Sequence, residues 1–201
     1  MIIIGYSGHA FVSCGILKAA GQPITGYCDK EEKAYNPFGL KYYGSELTEE
    51  AIAAMKEHGS FIAIGINSLR NGIYDELFKM RIGFFNAIHP SAVIDASAAI
   101  AAGAVMIAAN VTINPLAKIG TGAICNTSCI IEHECEVGDF AHIGPGAVLC
   151  GNVKVGKQSF IGANAVIRQG ITIGDNATIG AGSVVVSNVP DNVTVVGVPA
   201  K

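Results

Sequence analysis

The sequence predicts two units of different class: a small parallel α/β unit over residues 1–86 and a parallel β-helix over residues 87–201. The β-helix rests on an aliphatic slot that recurs every six residues. It holds Ile113, Ile119, Ile131, Val137, Ile143, Leu149, Val155, Ile161, Ile167, Ile173, Ile179 and Val185, with Cys125 in the same register. Glycine follows directly at 120, 138, 144, 156, 162, 174 and 180. A fixed short period marks a solenoid whose coils stack about 4.8 Å apart. The α/β unit rests on apolar runs that alternate with helical stretches, the pattern of a parallel sheet.

Along the chain, Met1–Gly5 reads as a buried strand, followed by Gly5-Tyr6-Ser7-Gly8-His9 and a helical stretch from Phe11 to Ala20. A second strand, Ile24–Cys28, ends at Asp29, and Leu47–His58 is helical, opened by Thr48-Glu49-Glu50. Phe61–Ile64 is a third strand, with Gly65-Ile66-Asn67 and a helix over Ser68–Met80 behind it. Ligands of such sheets bind at the carboxyl ends of the strands. Gly5–His9, Asp29, Gly65 and Asn67 all fall there. The Gly5–Gly8 turn is not a full dinucleotide fingerprint, and it is also consistent with a tight turn and a helix cap. Its functional use would be close backbone approach to a pyrophosphate, with Asp29 near a ribose. A unit this short is sized for one nucleotide.

In the repeat, the fourth position after each aliphatic is small or β-branched, as at Ala117, Ala123, Cys129, Cys135 and Ala141. One large and one small inward residue per hexad fit a three-sided lumen. Residues 88 to 190 then make roughly five or six coils. The tick begins at Ile88, Ile94 and Ile100 and slips by one residue near Met106 and Ile107, which suggests a local bulge.

Composition narrows the function classes. Hydrophobic residues make up 50% of the chain and charged residues 14%, with a net charge of −3; mean hydropathy is +0.44. Glycines and polar residues break every long apolar run, so no transmembrane helix is expected, and the apolar surplus is assigned to the lumen and a subunit interface. Basic residues do not cluster, which argues against nucleic acid. The N-terminus lacks the basic region of a leader, making the cytoplasm the expected compartment. No cysteines form a CxxC pair; Cys125, Cys129 and Cys135 take lumen slots and are expected to be buried apolar groups.

Chemistry is concentrated in one stretch: Asn126-Thr127-Ser128, Glu132-His133-Glu134, Asp139 and His142. Nine residues separate His133 from His142, half of an eighteen-residue coil, so the two lie on different sides, do not easily meet within one subunit, and could meet across subunits of a symmetric trimer. His133 with an adjacent carboxylate has the makings of a general base. His89 is expected in a turn at the domain junction, His58 on the surface, and His9 facing either a ligand or the interior.

Several motifs in order resemble one family across essentially the whole chain: Gly5-x-Ser7-Gly8-His9, Ile64-Gly65-x-Asn67-x-x-Arg70, Ile88-His89-Pro90-Ser91-Ala92, Asn126-Thr127-Ser128, Ile131-Glu132-His133-Glu134 and the terminal Val196-Gly197-Val198-Pro199-Ala200-Lys201. The chain is similar to the hexapeptide-repeat acyltransferases of the sialic acid O-acetyltransferase group. That group includes the nucleotide-amino-sugar N-acetyltransferases that make N-acetylbacillosamine and related sugars. The resemblance implies a left-handed β-helix after a Rossmann-like domain, a homotrimer with active sites between subunits, acetyl-CoA as donor and no metal. It implies transfer to the amine of a nucleotide-linked sugar, such as a UDP-4-amino-4,6-dideoxy sugar, directly and without an acyl-enzyme.

By the same resemblance His133 is the base, Glu134 orients it, and Asn126 lies in the acceptor pocket. His142 would contact the coenzyme from the adjacent subunit, with the Gly151 amide near the thioester oxygen and Gly162 and Gly180 along the pantetheine groove. Gly5, Ser7, Gly8, His9, Asp29, Gly65 and Asn67 would hold the nucleotide sugar. Tyr6 and Ala10 replace the smaller residues usual in the first motif, and Tyr6 is expected to stack on or narrow the pocket. Lys30 stands where some members carry a second acidic residue. O-acetylation of sialic acid or another sugar is the nearest alternative. A zinc hydratase on the same β-helix would need three converging histidines, and a non-catalytic nucleotide-sugar-binding trimeric scaffold would not need the His133-Glu134 pair.

Overall fold

The computed structural model describes residues 1–201. The chain opens with β1 (Ile2–Ile4), α1 (Gly8–Ala19), β2 (Gly26–Cys28), β3 (Lys41–Tyr42), α2 (Glu49–His58), β4 (Ser60–Ile62) and α3 (Asn67–Lys79). The four strands form one parallel sheet in the order β3-β2-β1-β4. The run Ile2-Ile3-Ile4 is apolar throughout because both faces of β1 are covered. Ile3 packs with Ala10, Cys14 and Leu17 of α1 on one side, and Ile2 and Ile4 with Met55 of α2 and Leu77 of α3 on the other. The Thr48 side chain accepts from the Ala51 N–H and caps α2, as its sequence suggested.

From Ala87 onward every strand is two residues long, and three strands make one coil. The coils stack into parallel sheets of seven, six and five strands, a left-handed β-helix. The second residue of each strand points inward: Ile113, Cys125, Ile131, Ile143, Leu149, Ile161 and Ile167 are at most 1% exposed. Cys125, Cys129 and Cys135 lie in the lumen as expected, and all six cysteines are free.

The hexad has a steric logic at its corners. Three residues after each aliphatic the backbone turns left-handed, at Gly122, Ser128, Glu134, Phe140, Gly146, Asn152 and so on up the stack. Glycine and asparagine tolerate that conformation. The glycines directly after the aliphatic serve another purpose. A Cβ on Gly138, Gly144, Gly156 or Gly162 would come within 2.9 Å of backbone in the next coil, so these residues set the stacking distance. The register slip is an extra residue in the turn over residues 101–105, not a strand bulge. The Asn86 side chain fills that turn, donating to the Ala101 carbonyl and accepting from the Gly103 and Val105 N–H groups.

The outward residues divide the three faces by task. The seven-stranded face presents Met106, Ile124, His142 and Phe160 in register and carries the α/β domain. The five-stranded face presents a charge ladder, Lys118–Glu136–Lys154. The six-stranded face presents Val93, Thr112, Ile130, Val148, Val166 and Val184, apolar or β-branched throughout. No helix is long and apolar enough to cross a membrane.

Arg70 joins the two units. It is fully buried and donates to the carbonyls of Gly122 and Phe140 in the β-helix at 2.7 Å each. It also donates to the carbonyls of Ile64 and Gly65 and to Asn67 Oδ1 in its own domain. Asn67 Nδ2 donates to the carbonyls of Gln158 and Ser159. A guanidinium presents its donors in a rigid fork, which suits it to hold several carbonyls from two domains.

Candidate functional site

Three groups of residues come together, and they lie on different parts of the surface. The first is the corner between the six- and five-stranded sheets. His133 stands there with a side chain 53% exposed, and its Nδ1 lies 3.1 Å from Glu134 Oε2. Glu134 has φ +61°, a left-handed conformation that costs a side-chain-bearing residue about 1–2 kcal/mol. That turn sets the carboxylate beside the ring it follows. A carboxylate only accepts, so in the neutral ring the proton sits on Nδ1 and the lone pair on Nε2. One coil above lies Gly151. A Cβ there would come 2.5 Å from His133 Cε1 and Nε2, so the ring rests on the bare Gly151 backbone. The Gly151 carbonyl accepts from the Gly170 N–H, whereas its own N–H has no partner in the chain.

The second group is the corner between the seven- and six-stranded sheets. Asn126, Gly144, Gly162 and Gly180 occupy equivalent positions on successive coils, a column with almost no side chains above Asn126. Asn126 Oδ1 accepts from the Thr127 N–H at 2.8 Å, and its Nδ2 lies 3.1 Å from His142 Nε2. His142 is only 7% exposed. Its ring meets Phe160 edge-on at 5.1 Å and lies 6.0 Å from the His9 ring. This leaves little of His142 for a coenzyme to touch; it sits behind Asn126 and against the α/β domain. Burial, then the Arg70 charge, pull His142 down to about 3 and His9 to about 4. Both rings are therefore neutral near pH 7. His142 Nδ1 and His9 Nε2 are buried without hydrogen-bond partners.

The third group is a cavity of about 420 Å³ at the carboxyl ends of β1, β2 and β4. Gly5, Ser7, Asp29 and Gly65 line it, as the sequence placed them. The first N–H of α1 that is used within the chain is that of Phe11, bonded to the Ser7 carbonyl, so the N–H groups of Gly8, His9 and Ala10 remain free. Gly8 faces open space. A helix N-terminus with free N–H groups favours an anion. Asp29 accepts from the Tyr6 and Lys30 N–H groups and pairs with Lys33 at 3.2 Å.

Besides that of His142, three expectations change here. Asn67 is tied to the β-helix backbone and to Arg70, so it holds the domains together rather than reaching into the cavity. His9 lies against Gly65 and His142, outside the cavity lining. Tyr6 neither stacks on a ligand nor narrows the pocket: its ring is 1% exposed and stacks on Tyr27 at 4.1 Å, with its hydroxyl donating to Asn36. Tyr6 lines the cavity with its ring turned into the core. Gly162 and Gly180 keep a structural demand of their own, because a Cβ on either would strike the coil or the chain end above. His89 is in a turn as expected, bonded to Ser91. Two residues escaped the sequence reading, Glu46 on the cavity wall and Arg70 as the pin between domains. Arg70 stood in a quoted motif with no role attached, and Glu46 had no motif around it.

Residues 1–77 match the family described as PglD N-terminal domain, and residues 152–187 match the hexapeptide repeat of succinyl-transferase. A variant of perosamine N-acetyltransferase from Caulobacter crescentus, with asparagine in place of one histidine and in complex with CoA and GDP-perosamine, is 37% identical. It superposes with a TM-score of 0.93 over 100% of this chain and 94% of that one. The acetyltransferase domain of PglB from Neisseria gonorrhoeae, in complex with acetyl coenzyme A, is 31% identical with a TM-score of 0.92, over 100% and 97% of the two chains. WeeI from Acinetobacter baumannii is 25% identical with a TM-score of 0.89 and the same coverage.

Proposed function

This chain belongs to the hexapeptide-repeat acetyltransferases of nucleotide-linked amino sugars, and we propose that His133 is its general base, in a site completed by a second copy of the chain. The protein is an acetyl-CoA-dependent N-acetyltransferase that acts on the amine of a nucleotide-linked sugar. The observation that carries the assignment of the base is the His133–Glu134 pair, exposed on a corner and seated on Gly151.

The α/β domain holds the nucleotide. Its pyrophosphate lies at the free N–H groups of Gly8 and His9 at the start of α1, and the cavity beside Gly5, Ser7, Asp29 and Gly65 takes the nucleoside. The neutral sugar amine attacks the thioester carbon. The new C–N bond leaves an ammonium and an oxyanion, and the unpartnered Gly151 N–H donates to that oxygen. His133 Nε2 takes the ammonium proton while Glu134 stabilises the resulting imidazolium through Nδ1. Collapse breaks the C–S bond, and the thiolate leaves with a proton as free CoA. No residue need be acetylated.

The completed site follows from symmetry. If the apolar six-stranded face turns toward a three-fold axis, the two corners that flank it meet between neighbours. The corner carrying His133, Glu134 and Gly151 of one subunit then faces the corner carrying Asn126, Gly144, Gly162 and Gly180 of the next. The glycine column leaves room for the pantetheine arm, and Asn126, oriented by His142, faces the acceptor. A homotrimer therefore both covers the apolar face and builds the site. Both co-substrates are cytoplasmic metabolites, and we place the reaction there.

The test is CoA-thiol release from acetyl-CoA with UDP-, GDP- and dTDP-linked 4-amino sugars and with free sialic acid. Release with a nucleotide-linked amino sugar is expected. Release with sialic acid alone would replace amine transfer by O-acetylation.

A further inference from the structure

Two carboxylates line the nucleotide cavity, and only one of them is engaged by the protein. Asp29 accepts from two backbone N–H groups and from Lys33. Glu46 follows β3 and is half-buried, and its carboxylate has neither a hydrogen-bond nor an ionic partner within the chain. It lies close enough to Cys28, at the end of β2, to add to the burial that pushes that thiol up to about 12. Lys30 lines the same cavity and forms no ion pair, and Ile64, Ile66, Leu69 and Ile73 supply an apolar wall on which a flat ring can lie. A half-buried carboxylate is best matched by a ligand that donates to both of its oxygens.

The nucleobases differ in what they offer such a group. Guanine presents two adjacent donors, N1–H and the 2-amino group, beside the acceptor O6. Uracil and thymine present one N–H between two carbonyl oxygens, which a carboxylate repels. Adenine and cytosine present an amino group beside an unprotonated ring nitrogen. We propose that the nucleotide carried by the sugar substrate is a guanosine diphosphate, read by Glu46 at N1–H and the 2-amino group, with Lys30 facing O6. The inference rests on the reading of this chain as a nucleotide-sugar acetyltransferase, and it replaces the uridine nucleotide expected from the sequence resemblance. It also gives Lys30 a purpose at the position where a second acidic residue was expected.

The experiment is calorimetric binding of GDP, IDP, UDP and dTDP to the full-length protein, in the wild type and in Glu46→Ala. IDP lacks only the 2-amino group. The wild type is expected to bind GDP about ten-fold or more tightly than IDP, UDP or dTDP, and Glu46→Ala is expected to erase the difference between GDP and IDP. Acetyl-CoA binding by the same samples checks that the variant is folded. Tighter binding of UDP or dTDP than of GDP would overturn the proposal, as would a loss in Glu46→Ala that is equal for all four nucleotides, which would assign Glu46 to the ribose. CoA release with a UDP-linked amino sugar but not a GDP-linked one would remove the guanine assignment and leave the acetyltransferase intact.

Discussion

His133 is held by three contacts of different kinds. Glu134 fixes its Nδ1, Gly151 supports its ring, and its own carbonyl accepts from the Asn152 N–H at 2.8 Å. The ring therefore has one orientation, with Nε2 free. Gly151 is the most sensitive of the three supports, because any side chain there occupies the space of the imidazole. Gly151→Ala is expected to displace the ring and lower kcat about ten-fold or more while the melting temperature changes little. Unchanged kcat in Gly151→Ala would show that the ring position is not critical. At this scale the sequence was partly legible. Adjacent polar residues such as His133 and Glu134 announced themselves, because a hexad otherwise filled with aliphatics makes them conspicuous. The tasks of Asn67, His9 and Tyr6 were not legible, since a polar or aromatic residue at a strand end can face either the cavity or the domain junction, and only packing decides which.

The element with most consequence is the junction between the α/β sheet and the seven-stranded face. Arg70, Asn67, His9 and His142 all lie in it. Replacing Arg70 by Met leaves the carbonyls of Gly122, Phe140 and Ile64 without their donor. A loss of about 3 kcal/mol or more is expected, read as a fall in the denaturant midpoint; a wild-type midpoint would mean that water replaces the guanidinium at no cost. The two neutral histidines add a pH dependence. Their folded values, about 4 and about 3, lie below the ordinary value of 6.5. The unfolded chain therefore binds protons first as pH falls. Stability from this source is complete above about pH 6.5 and declines toward pH 4, by at most about 1.4 kcal/mol per pH unit for each ring. Thermal melts from pH 7.5 to 4.5 are expected to show it, with a shallower decline in His9→Gln; equal slopes for the two proteins would contradict it. The sequence revealed the other strands and helices of the α/β unit but not β3. Lys41–Tyr42 is only two residues long between Gly39 and Gly44, too short for a period to show, although Tyr42 packs on Tyr27 with ring centroids 5.3 Å apart.

The whole molecule is organised by its three faces. The period of six specified the coil count and the lumen, because each hexad must put one large residue inward regardless of context. What the outward positions do is written more faintly, in one residue per strand, and it emerges only when the strands are stacked. Stacked, they separate a face for the α/β domain, a charged face and an apolar face. The largest concavity, about 640 Å³, follows the charged ladder, and of the polar stretch around His133 only Asp139 lines it. Val148→Asp, at the middle of the apolar face, is expected to convert a trimer into monomers with a far-ultraviolet spectrum like that of the wild type. Activity should fall with the trimer, since the His133 corner would lose its facing corner. A monomeric wild type, or a fully active monomeric variant, would show that the site lies within one chain.

The most direct measurement is the turnover of His133→Ala with acetyl-CoA and the nucleotide-linked amino sugar, alongside its acetyl-CoA affinity. A fall in kcat of about 10² or more with acetyl-CoA binding nearly intact is predicted. Preserved turnover, with or without weakened acetyl-CoA binding, would contradict the assignment of His133 as the base.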